Sequence, residues 1–238
     1  LKILVLSDIH GNYPALKAVS KQHPLREFDL ICNCGDSTVY CPFPNETLDW
    51  LRKYEARSIR GNTDDKIIRI LQGKSFKKPS KPEKRIMYTS TASVLTRANQ
   101  DYLLGLKKSF TFPCRGNTIG VFHGSPEKHE EFLFDTTADE RFKQIAEKVQ
   151  CTVVLTGHSH TPYHKKIHGV HFINPGSVGR MFDANPQASY AVLKLGKKDI
   201  QVDHFRCSYN VGKVIKRIKK YKLPAIYCEM FSSGRKLN

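Results

Sequence analysis

Five times along this chain a short apolar run stops at a cluster of glycine, aspartate, asparagine or histidine. Residues 2–6 lead into Asp8-Ile9-His10, residues 29–34 into Gly35-Asp36, and residues 56–60 into Gly61-Asn62-Thr63-Asp64. Further on, residues 118–122 lead into His123-Gly124 and residues 152–155 into Gly157-His158-Ser159-His160. Apolar runs this short, bounded by turn residues, predict buried strands, with Cys32 and Cys34 in one of them. Helical patterns fall between them at 14–21, 45–54 and 139–149, the second expected to take its cap from Asn45. Strand and helix alternating through short connections imply a right-handed, largely parallel α/β core. In such a core the loops at the carboxyl ends of the strands converge, and ligands collect there.

Taken singly, the clusters have plainer roles. Asp8 and Asp36 suit turns or caps, Asn62 beside Gly61 suits a left-handed turn, Asp64 can cap the next helix, and His123 can be a satisfied core histidine. Together they bring Asp8, His10, Asp36, Asn62, His123, His158 and His160 to equivalent positions. That oxygen-and-nitrogen set, without a thiolate, suits two divalent ions of the manganese, zinc or iron type.

The charge of +17 on 238 residues raises the question of nucleic acid. Its densest segments are 74–85 and 213–222. In the second, Val211, Val214, Ile215, Ile218 and Tyr221 make an apolar stripe at helical spacing, so Lys216, Arg217, Lys219 and Lys220 read as a solvated face. Neither segment interleaves aromatic residues for base stacking, so the charge suggests an anionic ligand without specifying a polymer, and nucleic acid is not favoured. No apolar run approaches the ~18–20 residues of a spanning helix. The chain opens at Leu1 without a secretory signal, and seven cysteines without a CxxC pair predict reduced thiols and a cytoplasmic setting.

One domain is expected over 1–238, with a helical insertion at about 64–107 that holds an exposed Lys- and Pro-rich loop at 73–85. After 162 the runs at 163–167, 170–173, 189–195 and 200–205 predict antiparallel hairpins forming a second sheet, followed by a last helix.

In their order these clusters resemble the signature of calcineurin-like metallophosphoesterases, in their compact prokaryotic form. The likeness runs through Asp8-Ile9-His10-Gly11-Asn12, Gly35-Asp36, Gly61-Asn62-Thr63-Asp64, His123-Gly124-Ser125-Pro126 and Gly157-His158-Ser159-His160-Thr161-Pro162. It continues through Asn174-Pro175-Gly176-Ser177-Val178-Gly179 and Ala188-Ser189-Tyr190-Ala191. It implies an α/β fold, a four-layer αββα sandwich, with two divalent metal ions at the strand ends: manganese foremost, then zinc, iron, nickel or magnesium. By the resemblance Asp8, His10, Asp36 and His160 hold one ion, Asp36, Asn62, His123 and His158 hold the other, and Asp36 bridges them. Asp36, His123 and His160 are the catalytic assignments, and a hydroxide bridging the ions attacks phosphorus, so no protein nucleophile is needed.

Many members have histidine where this chain has Thr63, and that histidine approaches the leaving group. Thr63 cannot supply an imidazolium, which shifts the expected substrates toward activated esters, phosphodiesters or nucleotide polyphosphates. Arg180, Asn12 and Tyr13 are expected substrate contacts, and Lys74, Lys77 or Lys78 are expected near a second phosphate. The segment 174–179 reads first as a tight turn. His129, His164, His168 and His171 read as surface or hairpin residues. The alternatives to this phosphoesterase are a protein or small-molecule phosphomonoesterase, a nuclease, or a non-catalytic binding module of the same fold.

Overall fold

The apolar runs become strands of two sheets, each covered by helices on its outer side. The computed structural model describes residues 1–75, 77, 79–196 and 199–238. The chain runs β1 (Lys2–Leu6), α1 (Tyr13–Gln22), β2 (Leu30–Asn33), α2 (Pro44–Lys53) and β3 (Arg57–Ser58). Next come α3 (Asn62–Leu71), α4 (Pro82–Val94), α5 (Arg97–Gly105), β4 (Ser109–Cys114), β5 (Asn117–Phe122), α6 (Asp139–Lys148) and β6 (Val153–Leu155). They are followed by β7 (Tyr163–Ile167), β8 (Val170–Asn174), β9 (Ala188–Leu195), β10 (Ile200–Cys207), α7 (Val211–Lys220) and α8 (Ile226–Ser233).

The first sheet has the order β10-β9-β1-β2-β3 and the second β4-β5-β6-β8-β7. β1, β2 and β3 are parallel, as are β5, β6 and β8, and the flanking strands are antiparallel. Successive strand residues face opposite ways, so one strand fills two cores. Ile3 and Val5 meet Ile119, Val121, Val153, Leu155 and Ile173 between the sheets. Leu4 and Leu6 face the helices, against Leu16 and Val19 of α1, Leu48 and Leu51 of α2, and Val214 and Ile218 of α7. On the far side Phe142 and Ile145 of α6 cover Phe122, Val154 and Phe172. Each fully buried aliphatic side chain of this kind contributes about 1.5–3 kcal/mol relative to exposure. The result is the expected αββα order of layers.

Three local expectations are corrected. The late hairpins do not form a sheet of their own: β9–β10 adds to β1 in the first sheet, and β7–β8 adds to β6 in the second. Asn45 is not the cap of α2. It lies inside the helix, where its amide donates to the Val94 carbonyl at 2.7 Å and accepts from the Thr96 N–H at 3.0 Å, tying α2 to the α4–α5 connection. Tyr221 lies past the buried stripe of α7 and is half exposed. The segment between α3 and α4 holds the Lys- and Pro-rich stretch, and Lys78 lies outside the described residues. Among the described residues no helix is long and apolar enough to cross a membrane.

Candidate metal centre

The strands β1, β2, β5 and β6 release their chains at one edge of the sandwich, and there the backbone turns sharply. Asp8, His10, Asp36, His158 and His160 all adopt left-handed backbone, with φ between 51° and 64°. That conformation costs a residue with a side chain about 1–3 kcal/mol and persists only where its surroundings enforce it. Here hydrogen bonds between loops enforce it: Asp8 N–H to the Gly35 carbonyl at 3.0 Å, His10 N–H to Asp36 at 2.9 Å, and Gly157 N–H to His123 at 2.8 Å. The 174–179 turn has the supporting role read from its sequence, since Val178 and Gly179 N–H groups bind the Ser7 and Asp8 carbonyls, each at 3.0 Å. Two glycines leave room for carboxylates. A Cβ on Gly61 would lie 2.1 Å from Asp36 Oδ1, and one on Gly157 would lie 2.8 Å from Asp8 Oδ2.

The seven residues predicted as ligands come together in two adjoining groups. In the first, His160 Nε2 lies 3.2 Å from both Asp8 Oδ1 and His10 Nε2, and His10 Nε2 lies 3.8 Å from Asp36 Oδ2. In the second, the Asn62 side-chain amide lies 3.1 Å from Asp36 Oδ2, 3.1 Å from His123 Nε2 and 3.2 Å from His158 Nδ1. Asp36 Oδ2 therefore belongs to both groups, while Asp36 Oδ1 accepts the Thr63 N–H at 2.8 Å.

These groups fit a cation better than they fit one another. Asp8 Oδ1 is buried with no hydrogen-bond donor, and the Asn62 side-chain amide, which can turn its oxygen to a cation, sits among Asp36 Oδ2, His123 Nε2 and His158 Nδ1. His10, His123 and His160 each point Nδ1 at a backbone carbonyl, of Thr38, Cys34 and Arg180 respectively. Donation there leaves Nε2 as a free lone pair aimed at the cluster. Sets of three ligand atoms close enough to share one ion occur at Asp8, His10 and His160, and at Asp8, Asp36 and His123. Burial lifts the Cys34 thiol well above its usual range, so the set is oxygen and nitrogen only.

The charges tell the same story. Burial, with Asp8 and Asp64 nearby, pushes Asp36 up to about 6 against the pull of His123. Burial acts to raise Asp8 as well, but the imidazoles of His160, His123 and His10 outweigh it and hold Asp8 below the usual carboxylate range. Burial and His160 lower His10, and burial and His123 lower His158 to about 3, so both imidazoles are neutral and able to coordinate. Burial opposes protonation of His123, yet Asp36 and Asp8 raise it. Two buried carboxylates side by side call for positive charge, which a divalent cation would supply.

Asp64 caps α3, as its sequence position allows, and also holds a second loop. Its buried carboxylate accepts from the N–H groups of Gly61, Ser37 and Thr38 and from the Thr38 hydroxyl, fastening the Asp36 loop to the start of α3. Asn12 is corrected as a substrate contact. It is fully buried, its amide donates to the Gly179 carbonyl at 2.9 Å, and its oxygen caps α1 through Ala15 N–H, so neither polar atom is free.

Over the two groups opens a cleft of about 120 Å³, lined by His10, Asp36, Asn62, Thr63, His158 and His160 and by Tyr40, Lys84, Phe132, Arg180, Phe182 and Lys236. Arg180 is thus at the site as expected, and Tyr13, Lys74 and Lys77 do not line it. Thr63 lines the cleft, and its buried hydroxyl has no hydrogen-bond partner. Phe132 stacks on His158 at 4.0 Å and Phe182 on His160 at 4.6 Å, so each histidine of the Gly-His-Ser-His motif is backed by an aromatic ring. Lys84 lay in a segment already marked as basic, whereas nothing local to Lys236 or Phe132 signalled the site. His129 is not a plain surface residue: its ring lies 5.6 Å from that of His123.

Comparison with known proteins agrees with this geometry. The family model of the calcineurin-like phosphoesterase superfamily domain matches residues 1–198, which include every candidate ligand. An uncharacterized protein of Methanocaldococcus jannaschii is 28% identical over 250 residues, covering 98% of each chain. The probable metallophosphoesterase YsnB of Bacillus subtilis is 25% identical over 195 residues, covering 82% of this chain and 85% of YsnB. In fold, a crystal structure of a metallophosphoesterase from Sphaerobacter thermophilus superposes with a TM-score of 0.82 at 24% identity, covering 98% of this chain and 100% of the other. A hypothetical protein from Pyrococcus horikoshii OT3 superposes with a TM-score of 0.87 at 20% identity, covering 99% of each. Motif order, layered fold and matched segment agree: this chain belongs to the calcineurin-like phosphoesterase superfamily.

Proposed function

We propose that the chain is a hydrolase of phosphate esters or anhydrides working with two divalent cations, manganese foremost, and acting on phosphodiesters or nucleotide polyphosphates. The observation that carries this reading is the sharing of Asp36 Oδ2 between two groups of converging lone pairs. Asp8, His10, Asp36 and His160 hold one cation, and Asp36, Asn62, His123 and His158 hold the other. Bound there, the ions supply Lewis acidity and the charge that makes water nucleophilic toward phosphorus.

The protein's own part is positioning. The Thr63 N–H fixes Asp36 Oδ1 and so turns Oδ2 toward both groups. Carbonyls of Thr38, Cys34 and Arg180 fix the imidazole tautomers. Thr63 offers a hydroxyl and no imidazole to a departing oxygen, which supports substrates whose leaving group departs without strong acid assistance. Free thiols at all seven cysteines suit a reducing, cytoplasmic setting.

The test is hydrolysis by metal-stripped protein reloaded with manganese, using bis-p-nitrophenyl phosphate, p-nitrophenyl phosphate and a dinucleoside tetraphosphate. Diester or polyphosphate cleavage that Asp36→Ala abolishes is the expected result. Turnover that survives Asp36→Ala at full metal occupancy overturns the mechanism, and no turnover of any substrate with two ions bound favours the binding-module alternative.

A further inference from the structure

Three cations from distant parts of the chain meet in the cleft: Lys84 from α4, Arg180 after the 174–179 turn, and Lys236 beyond α8. Arg180 is 8% exposed, and its Nε has no hydrogen-bond partner. Its guanidinium lies 4.0 Å from the Tyr40 ring centre, 5.1 Å from Phe182 and 5.6 Å from Tyr227. Its polar contacts are to neutral groups: the Tyr40 hydroxyl, Met230 Sδ at 3.6 Å and Asn238 Oδ1 at 3.4 Å. Lys236 Nζ lies 5.6 Å from the same Phe182 ring. Among the described residues none of the three forms an ion pair with a carboxylate, whereas Arg52, Arg60, Arg97, Arg141, Arg206 and Arg217 do. A buried guanidinium without a counter-ion is expensive unless an anion comes to it. Burial and the charges of Arg180, Lys236 and Lys81 also make Lys84 easier to deprotonate than a free lysine, which places the three within each other's field.

We propose that Lys84, Arg180 and Lys236 form a subsite for a second anionic group of the substrate, a phosphate beyond the one being cleaved. This rests on the phosphoesterase reading and narrows it to phosphoanhydrides and polyphosphates over simple diesters. One phosphoryl group meets the charge left over when Asp8 and Asp36 hold two divalent cations. Three more cations in the same cleft call for a further phosphate, and the guanidinium offers it paired N–H donors where the lysines offer point charges. Two of the three lie where the family motifs are silent: Lys84 between β3 and β4, and Lys236 past residue 198, where the family match ends. The subsite therefore draws on positions outside the motifs that build the shared centre.

The experiment compares Lys84→Ala, Lys236→Ala and the double variant with wild type, and uses Lys219→Ala, on the exposed side of α7, as a charge-matched control. On manganese-loaded protein the ratio of kcat/KM for a dinucleoside tetraphosphate to that for bis-p-nitrophenyl phosphate falls about tenfold in each single variant and further in the double, mainly through KM; tenfold is about 1.4 kcal/mol. Calorimetric binding of methylenebisphosphonate weakens by a similar factor relative to methylphosphonate, with metal content checked before and after titration. A ratio that stays constant in both measurements, or that Lys219→Ala shifts equally, overturns the subsite. The two failures are distinguishable: a constant ratio with turnover still abolished by Asp36→Ala removes only the subsite, while turnover indifferent to Asp36 removes the phosphoesterase reading beneath it.

Discussion

Two pairs of histidines in this molecule touch through ring nitrogens and have opposite characters. His10 and His160 meet Nε2 to Nε2 at 3.2 Å, whereas His164 and His171, on β7 and β8, meet Nε2 to Nδ1 at 2.9 Å with their rings stacked 5.1 Å apart. In the hairpin pair one imidazole donates to the other, so a single proton satisfies the contact. Burial and like charge, from Lys166 and from His204 or His164, keep both rings neutral. In the cleft pair the Nδ1 atoms face carbonyls, so the two Nε2 lone pairs are turned on each other beside Asp8 and Asp36. Proximity of histidines therefore does not make a metal site. Lone pairs locked toward one point beside buried carboxylates do.

The hardest way to break this contrast is Asp36→Ala, expected to lower kcat on the order of 10³-fold, while His171→Ala stays within about twofold. Equal losses in steady-state assays would erase the difference between the two places. Next in size, Asp64→Asn weakens metal binding by about 10–100-fold, because its carboxylate fastens the Asp36 loop to α3 without touching the ions; titration followed by metal analysis measures this. Chelation should then lower the melting temperature by about 5–10 °C, given ions held at some 100 times their dissociation constant. A His164→Gln/His171→Gln protein that lost this metal-dependent shift would place the ions at the wrong pair.

The gentlest test is acid. Burial, with His164 and Lys166, holds His171 at about 4 in the fold, below its ordinary 6.5. Between those values the unfolded chain binds the extra proton, so His171 favours the fold fully above about pH 6.5 and that share is lost as pH falls toward 4. His164, lowered chiefly by burial, acts in the same direction. Urea unfolding midpoints of metal-free protein measured across this range should decline less steeply in His171→Gln; an unchanged slope would mean the hairpin pair does not titrate as described.

The candidate ligands were legible because each sits where an apolar run stops, and a strand's end has few places to go. Residues whose role depends on a distant neighbour were not. Asn12 belongs to the motif yet spends its amide on Gly179 and Ala15. β4, alternately exposed and half-buried, makes no continuous apolar run, and neither it nor α8 is among the elements expected from the sequence. The hairpin strands are legible individually, but their alternation says which face is buried and not which sheet receives them, so only the fold places β9–β10 beside β1.

By itself the sequence determined the alternation of buried strands and helices, the seven groups able to share a cation, and the lack of an imidazole at position 63. Tertiary structure alone decided which lone pairs face one another, the left-handed turns that aim them, and the meeting of Lys84, Arg180 and Lys236 in one cleft. The division follows from range: periodicity and turn chemistry act over a few residues, whereas a site is completed by contacts between segments as far apart as residues 84 and 236, which only packing brings together.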